Sequence, residues 1–133
     1  MTPLAKALLE RLGWTNLQVK KRRVENCFED WLFGTRPGGW DLKKHGVPPN
    51  YQDQCPNLDD LTVLYAESDK WARERMLGWE EHQYSDCYWS NLMRWRSEFE
   101  TDEPDKLWQS EKATTRVEAR QKAWLAAMEA RDD

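Results

Sequence analysis

No run of apolar residues in this 133-residue chain approaches the roughly 20 residues that a helix needs to cross a bilayer. Hydrophobic residues make up 39% of the chain and charged residues 33%, with a mean hydropathy of -0.99. An excess of positive charge is also absent, since the net charge is -4, which gives no general attraction to nucleic acid or to an anionic membrane. We therefore expect a soluble, cytoplasmic protein with no membrane partner and no strong tendency to bind nucleic acid.

Cysteine is scarce, and the chain lacks the short paired spacings that mark a zinc site. Cys27, Cys55, Cys87 and His82 would supply four ligands only if the fold brought them together, so no metal site is predicted. The chain also lacks the motifs GxGxxG, GxxxxGK, HExxH and GxSxG, which would indicate a dinucleotide, a phosphate, a zinc protease or a serine nucleophile. We predict no catalytic residue and no cofactor, and a protein that is not an enzyme.

Tryptophan, in contrast, is abundant: the chain has nine Trp, four Tyr and three Phe. Each aromatic side chain can bury about 150–250 Å². At about 25 cal/mol per Å², one buried Trp contributes several kcal/mol to folding. A core rich in aromatic residues can therefore replace many Leu, Ile and Val residues. The length of the chain predicts a single domain over residues 1–133.

Apolar spacing predicts a mainly helical fold, with about five helices around this core and no internal repeat. Thr2 is the expected cap and Gly13 the expected stop of a first helix that begins at Pro3. Further helices are predicted from Thr15 to residue 33, from the cap Asn57 to Gly78, near 85–99, and over 107–128. A small α+β sandwich is the alternative fold class.

The segment 34–57 carries the highest density of Gly and Pro in the chain, which excludes helix over most of it. We expect a long irregular segment there, with a short hairpin or extended stretch as the alternative. Long segments of this kind in small domains are often functional. Trp40 and Tyr51, which flank His45, are candidate binding residues, although both rings could instead fold back onto the core.

A second group of candidates lies in the predicted helix 85–99. Tyr88, Leu92, Trp95 and Phe99 already supply one buried face there. Trp89, Met93 and Arg96 form another stripe at i, i+4 and i+7, and these residue types are enriched at the centre of protein interfaces. Trp71 lies off the main seam of its own helix and joins this group. The alternative is that both stripes are buried, as in a helix packed between two others.

The run Lys20-Lys21-Arg22-Arg23 is the strongest positive patch in the chain. It could contact phosphate groups, which makes nucleic-acid binding through Lys20–Arg23 a possible function. On the predicted helix, however, Lys21 and Arg22 would both lie one turn from Glu25 and pair with it. A solvated helix face is therefore the favoured interpretation.

Several short signals resemble a group of small uncharacterised phage and prophage proteins, the phage alpha-beta-alpha sandwich type. They are the LGW that ends the first helix (12–14), GTRPGGW (34–40), the approach Pro48-Pro49-x-Tyr51, and the closing RVEARQKAWL (116–125). The resemblance implies a phage or prophage accessory protein that acts inside a bacterial host cell. It implies no catalytic residues. Where the sandwich would have strands, 17–33 and 85–99 have helical spacing in this chain.

Together these observations predict a non-enzymatic phage-type protein that binds a host protein or protein complex. The resemblance extends this to inhibition of a host system such as a defence complex. The expected partner-binding residues are Trp89, Met93, Arg96, Trp71, Trp40 and Tyr51. The alternatives are a small-ligand-binding protein or minor enzyme that uses the 34–57 segment, and nucleic-acid binding through Lys20–Arg23.

Overall fold

A computed structural model of the chain describes residues 1–38, 52–94, 106–109 and 113–131. The chain divides into two compact units, Met1–Asn57 and Leu58–Asp133, which are described separately below. The described residues contain three helices and two antiparallel sheets. The prediction of a mainly helical fold with about five helices is therefore wrong, and the fold is α+β. That the units form one domain stays a prediction.

The first unit consists of one helix followed by a three-stranded sheet. Helix α1 spans Pro3–Arg11, and strands β1, β2 and β3 span Thr15–Val24, Cys27–Thr35 and Asp53–Gln54. The strands are antiparallel neighbours in the order β1-β2-β3. Among the described residues, β3 pairs only with Phe33 and Gly34, near the end of β2. The rest of the β1–β2 hairpin, which includes its turn, is therefore a two-stranded ribbon.

The second unit repeats this order and adds a helix. Helix α2 spans Leu61–Arg73, strands β4, β5 and β6 span Leu77–Tyr84, Cys87–Arg94 and Lys106–Gln109, and helix α3 spans Arg116–Arg131. The sheet order is again antiparallel, β4-β5-β6. Helix α3 packs mainly on β5, and α2 packs on β4 and on α3. The two helices therefore cover one face of the sheet.

The ends of α1 are as predicted from the sequence. The Thr2 hydroxyl accepts a hydrogen bond from the Ala5 amide at 3.2 Å, Pro3 is the first helical residue, and Gly13 follows the helix with a φ of +101°. Only glycine adopts that conformation without a steric penalty, which is why the helix stops there. In α2 the observed cap is Asp60 rather than Asn57, since its carboxylate accepts bonds from the Thr62 and Val63 amides.

Two regions predicted as helices, 15–33 and 85–94, belong to β-hairpins instead, and residues 107–109, predicted to start a helical stretch, lie in strand β6. A spacing of four residues places side chains on one face of a helix, but it also places them on one face of a strand, where every second residue shares a face. Tyr88 and Leu92 thus share a face of β5 with Ser90 between them. Trp89 and Met93 share the opposite face. Residues 95–105 lie outside the described part of the chain.

Both hairpins turn through two residues, Glu25-Asn26 and Ser85-Asp86. In each turn the first residue has a positive φ, 53° at Glu25 and 55° at Ser85. Two-residue hairpin turns require this left-handed conformation, which is usually supplied by Gly or Asn. The order of a helix followed by a three-stranded antiparallel sheet occurs in both units, a similarity of architecture that no repeat in the sequence indicates.

The buried residues of the second unit come mainly from its two helices. Trp124 is fully buried, and its ring meets that of Trp71 edge to face with centroids 6.4 Å apart. Of the six Trp side chains that are described, Trp14, Trp71 and Trp124 are buried and the other three are half-buried. Leu and Ala fill most of the remaining buried positions, so aromatic residues supply only part of the core.

Gly34 allows the close pairing of β1 and β2 in the first unit. A Cβ atom at this position would lie 2.9 Å from the backbone oxygen of Thr15 and 2.7 Å from Cδ2 of Leu17. We expect Gly34→Ala to reduce the free energy of unfolding by about 1–3 kcal/mol, because the backbone of β1 would have to move. Chemical denaturation of the full chain measures this.

Asp30→Ala, at an exposed position of the same strand, is the matched control and should change stability by less than about 0.5 kcal/mol. Equal stability of the two variants would show that β1 and β2 are not paired in this register.

Candidate functional site

An arginine from α3 lies in the interior of the second unit and contacts three other elements. The Arg120 side chain is only 6% exposed. Its guanidinium is bonded to two carboxylates, at 3.1 Å to Glu81 on β4 and 3.3 Å to Asp69 on α2. It also donates at 3.0 Å to the hydroxyls of Ser90 and Ser68. A buried cation is tolerated only when it is paired in this way, so these contacts hold the elements together.

Two aromatic rings complete the surroundings of Arg120. Its guanidinium carbon lies 4.6 Å from the ring centroid of Tyr65 and 4.7 Å from that of Trp79. The Trp79 indole donates to the backbone oxygen of Ser68 at 3.0 Å, which fixes the ring. Stacking between two rings adds cation–π attraction to the hydrogen bonds. We call Tyr65, Ser68, Asp69, Trp79, Glu81, Ser90 and Arg120 the arginine cluster.

Within the arginine cluster, the Tyr65 hydroxyl donates to Oε2 of Glu81 at 2.7 Å. Burial is the largest cause that raises the pKa of Tyr65 to about 12, followed by the hydrogen bond to Glu81 and the charge of Glu81. The positive charge of Arg120 acts in the opposite direction and lowers this pKa. Tyr65 is therefore a protonated donor and not a general base. Glu81 uses one oxygen for Tyr65 and the other for Arg120, which fixes its carboxylate within the arginine cluster.

Next to the arginine cluster lies a cavity of about 170 Å³ between the β4–β5 hairpin and the start of α3. We call it the hairpin cavity. Typical sites for cofactors and drug-sized ligands have volumes of about 300–1,000 Å³. The hairpin cavity is smaller than these and suits a single side chain or a very small molecule. Its lining residues are Glu81, His82, Gln83, Tyr88, Trp89, Arg116 and Ala119.

Arg116 is the cation of the hairpin cavity. Its guanidinium carbon lies 5.9 Å from the ring centroid of Tyr88, and the residue is exposed. Among the described residues no carboxylate lies within 4.0 Å of its nitrogens. The nearby Glu118 instead pairs with Lys122 at 3.1 Å. The hairpin cavity therefore has a positive charge at its wall that is not neutralised by an ion pair.

Of the six residues expected to bind a partner, the structure brings one to this site. Trp89 lines the hairpin cavity and is half-buried. Met93 is half-buried on the same face of β5 as Trp89, whereas Trp71 is buried in the core against Trp124. The candidates Arg96, Trp40 and Tyr51 lie outside the described residues, as does His45.

The cysteines and His82 are not assembled into a metal site in the described part of the chain. Cys27 and Cys55 belong to the first unit. The backbone amide of Cys55 donates to the backbone oxygen of Leu32 at 2.8 Å, and Leu32 lies five residues along β2 from Cys27. Burial and, to a lesser extent, Asp53 raise the pKa of Cys55 to about 11, so this thiol is not a nucleophile at neutral pH. His82 is held by Glu80 at 2.7 Å.

The basic run lies on β1 and not on a helix, so the expected pairs with Glu25 do not form. Lys20 and Arg22 share a face of the sheet and lie over aromatic rings, Lys20 at 5.6 Å from Phe33 and Arg22 at 5.1 Å from Trp31. Arg22 also donates to Gln54 at 3.0 Å. These two cations therefore cover the aromatic residues of their own sheet. Because β1 is an edge strand, its lysines also discourage strand pairing between molecules.

Comparison with known proteins finds no family model, no curated protein and no solved structure that matches this chain. None of the described helices is both long enough and apolar enough to span a membrane.

Sequence reasoning missed the arginine cluster, although one signal for it was present. Arg120 falls at i and Trp124 and Ala127 at i+4 and i+7 of α3, and all three are buried. An arginine within an apolar stripe indicates a buried ion pair, because the charge would otherwise point to solvent. Nothing in the local pattern showed that its partners lie 30 to 52 residues away.

We expect Arg120→Ala to lower the free energy of unfolding by about 3–5 kcal/mol, because Glu81 and Asp69 would lose the charge that compensates their partial burial. Lys122→Ala, which removes a more exposed pair on the same helix, should cost less than about 0.5 kcal/mol. Chemical denaturation of both variants checks this, and a similar loss in each would show that the arginine cluster does not stabilise the fold.

The raised pKa of Tyr65 predicts a pH dependence. Because the folded value is about 12 and the ordinary value 10.0, the stabilisation by the Tyr65 proton is complete below pH 10 and is lost as the pH rises towards 12. The difference in stability between the wild type and Tyr65→Phe should therefore shrink over this interval. Denaturation at several pH values measures it, and a constant difference would contradict the assignment.

Proposed function

We propose that this chain is a non-enzymatic binding protein that recognises a host protein through the residues of the hairpin cavity. The observation that carries the proposal is the cavity itself, a small recess whose lining includes Arg116, Tyr88 and Trp89, and in which no described carboxylate pairs with Arg116. Arg, Tyr and Trp are the three residue types most enriched among the hot spots of protein interfaces. The expectation of a partner-binding role for Trp89 is kept here as part of this proposal.

The chemistry of the site favours binding over catalysis. A catalytic site needs a nucleophile or an acid–base group with a pKa near the working pH. The two described groups with clearly shifted pKa values, Cys55 and Tyr65, are both raised away from neutrality. Glu81, the carboxylate in the wall of the cavity, is bonded through both oxygens to groups of the arginine cluster. These contacts favour a structural role for Cys55, Tyr65 and Glu81.

The size of the hairpin cavity favours a macromolecular partner over a small ligand. A recess of about 170 Å³ buries too few atoms of a free ligand to hold it tightly, since even efficient small ligands gain at most about 1.5 kcal/mol per non-hydrogen atom. A side chain from a protein can use the same recess as an anchor, while the surrounding surface adds the remaining contacts. The site is thus best suited to a protein interface.

The more specific parts of the proposal depend on the resemblance to small phage proteins. It suggests that the partner is a host complex in a bacterial cell, and that binding inhibits it. Nucleic-acid binding through Lys20–Arg23 is less well supported, because Lys20 and Arg22 are engaged with Phe33 and Trp31. For the small-ligand alternative, residues 39–51 of its segment lie outside the described chain.

Trp89→Ala tests the proposed function. We expect it to weaken capture of the partner from bacterial lysate at least tenfold, because Trp is enriched among the hot spots of protein interfaces and Trp89 is half-buried at the cavity. The melting temperature should fall by no more than about 4–8 °C, which corresponds to roughly 1 kcal/mol in the second unit. Quantitative mass spectrometry of the captured proteins, beside a thermal melt of each variant, measures both effects.

Tyr84→Ala is the matched control, since Tyr84 is an aromatic residue of the same hairpin that is 73% exposed at the turn. It should leave capture unchanged. Proteins captured equally by the wild type and by Trp89→Ala would be incompatible with the proposal, and a collapse of the melting temperature would show that Trp89 belongs to the core.

A further inference from the structure

We infer that the hairpin cavity binds a carboxylate group of the protein partner, with Arg116 as its counter-ion. This inference rests on the proposed function and names the chemistry of the same site. It is carried by one juxtaposition: Arg116, which pairs with no carboxylate among the described residues, stands beside a recess whose wall also contains the Gln83 amide and the Tyr88 hydroxyl, two groups that can donate.

Arg116 differs from Arg120, which lies one helical turn further along α3. Arg120 is surrounded by two carboxylates and two hydroxyls, whereas Arg116 lies over the ring face of Tyr88 and forms no ion pair with a described residue. A guanidinium over an aromatic ring keeps its in-plane donors free for a second partner. Carboxylates are the group that fits this fork best in proteins, through two parallel hydrogen bonds.

The remaining polar side chains of the cavity agree with an acidic ligand. The Gln83 amide and the Tyr88 hydroxyl have no hydrogen-bond partner among the described residues, and both can donate. By strand alternation these two residues, paired across the hairpin, share the sheet face on which α3 packs. Both can therefore reach a group that is held by Arg116.

The carboxylates around the cavity do not compete for Arg116. Glu81 is paired with Arg120, which it shares with Asp69, Glu80 is bonded to His82 at 2.7 Å, and Glu118 is paired with Lys122. Arg116 also lies in the first turn of α3, where the helix dipole favours a bound anion over a cation. The site therefore combines a cation that has no ion pair among the described residues with a helix dipole whose positive end faces the same way.

The charge and size of the ligand follow from the surroundings. Residues 58–133 contain 11 Lys and Arg against 18 Asp and Glu, a balance that repels ligands with several negative charges. A singly charged carboxylate is disfavoured far less than a phosphate. The volume of about 170 Å³ is below the roughly 300–1,000 Å³ of typical ligand sites and suits a single side chain such as that of glutamate.

The experiment uses the full chain and two matched probes, the methylamides of N-acetyl-glutamate and of N-acetyl-glutamine. The probes have nearly the same shape, and only the first carries a charged carboxylate. NMR titration follows the backbone amides of Tyr88 and Arg116. We expect saturable shifts with the glutamate probe, an affinity at least tenfold lower for the glutamine probe, and a similar loss of glutamate binding in Arg116→Gln.

Arg73→Gln is the control, since Arg73 is an exposed arginine of α2 outside the cavity, and it should bind the glutamate probe as the wild type does. Equal affinity for both probes, or unchanged affinity in Arg116→Gln, would overturn the inference. Tighter binding of inorganic phosphate than of the glutamate probe would also overturn it.

The two proposals fail in different ways. If the glutamate probe does not bind, but capture of a host protein still depends on Trp89, the carboxylate inference is wrong and the proposed function stands. If the probe binds through Arg116 but capture does not depend on Trp89, the carboxylate site exists and the proposed function is wrong.

Discussion

Arg120 brings a positive charge into the interior of the second unit, and the arrangement of that unit depends on how the charge is compensated. Its guanidinium joins α3 to α2 through Asp69 and Ser68, and to the sheet through Glu81 and Ser90. A buried ion pair is a weak source of net stability, but it tolerates little displacement, because each lost contact leaves an uncompensated charge. The arginine cluster therefore determines where the start of α3 lies relative to the hairpin, and with it the shape of the hairpin cavity.

The parts of the fold that could be predicted from the sequence are those that depend on local interactions. The first helix followed from Thr2, Pro3 and Gly13, and the last from the apolar spacing of Val117, Trp124 and Met128. The hairpins could not be predicted in this way. Lys and Arg favour helix, the turns Glu25-Asn26 and Ser85-Asp86 lack glycine, and a four-residue spacing fits both a helix and a strand. The pairing between strands decides between these possibilities, and no local pattern contains it.

The candidate site was predictable only in its aromatic part. Trp89 was selected as an interface residue on the basis of a helical stripe, and it lies at the hairpin cavity although the stripe is not helical. Trp89 and Met93 lie on the same face of β5, because residues four positions apart share a face in a strand as well as in a helix. Arg116 and Arg120 were not selected, since their roles depend on contacts between residues far apart in the sequence.

The contrast between these two arginines links the fold to the proposed binding role. They lie four residues apart on α3, and the carboxylate nearest to both in the cavity wall is Glu81. Glu81 bonds to Arg120 at 3.1 Å and accepts from the Tyr65 hydroxyl at 2.7 Å, and it forms no ion pair with Arg116. The arginine cluster thus directs the charge of Glu81 towards Arg120, and Arg116 remains for the carboxylate that we propose a partner protein supplies.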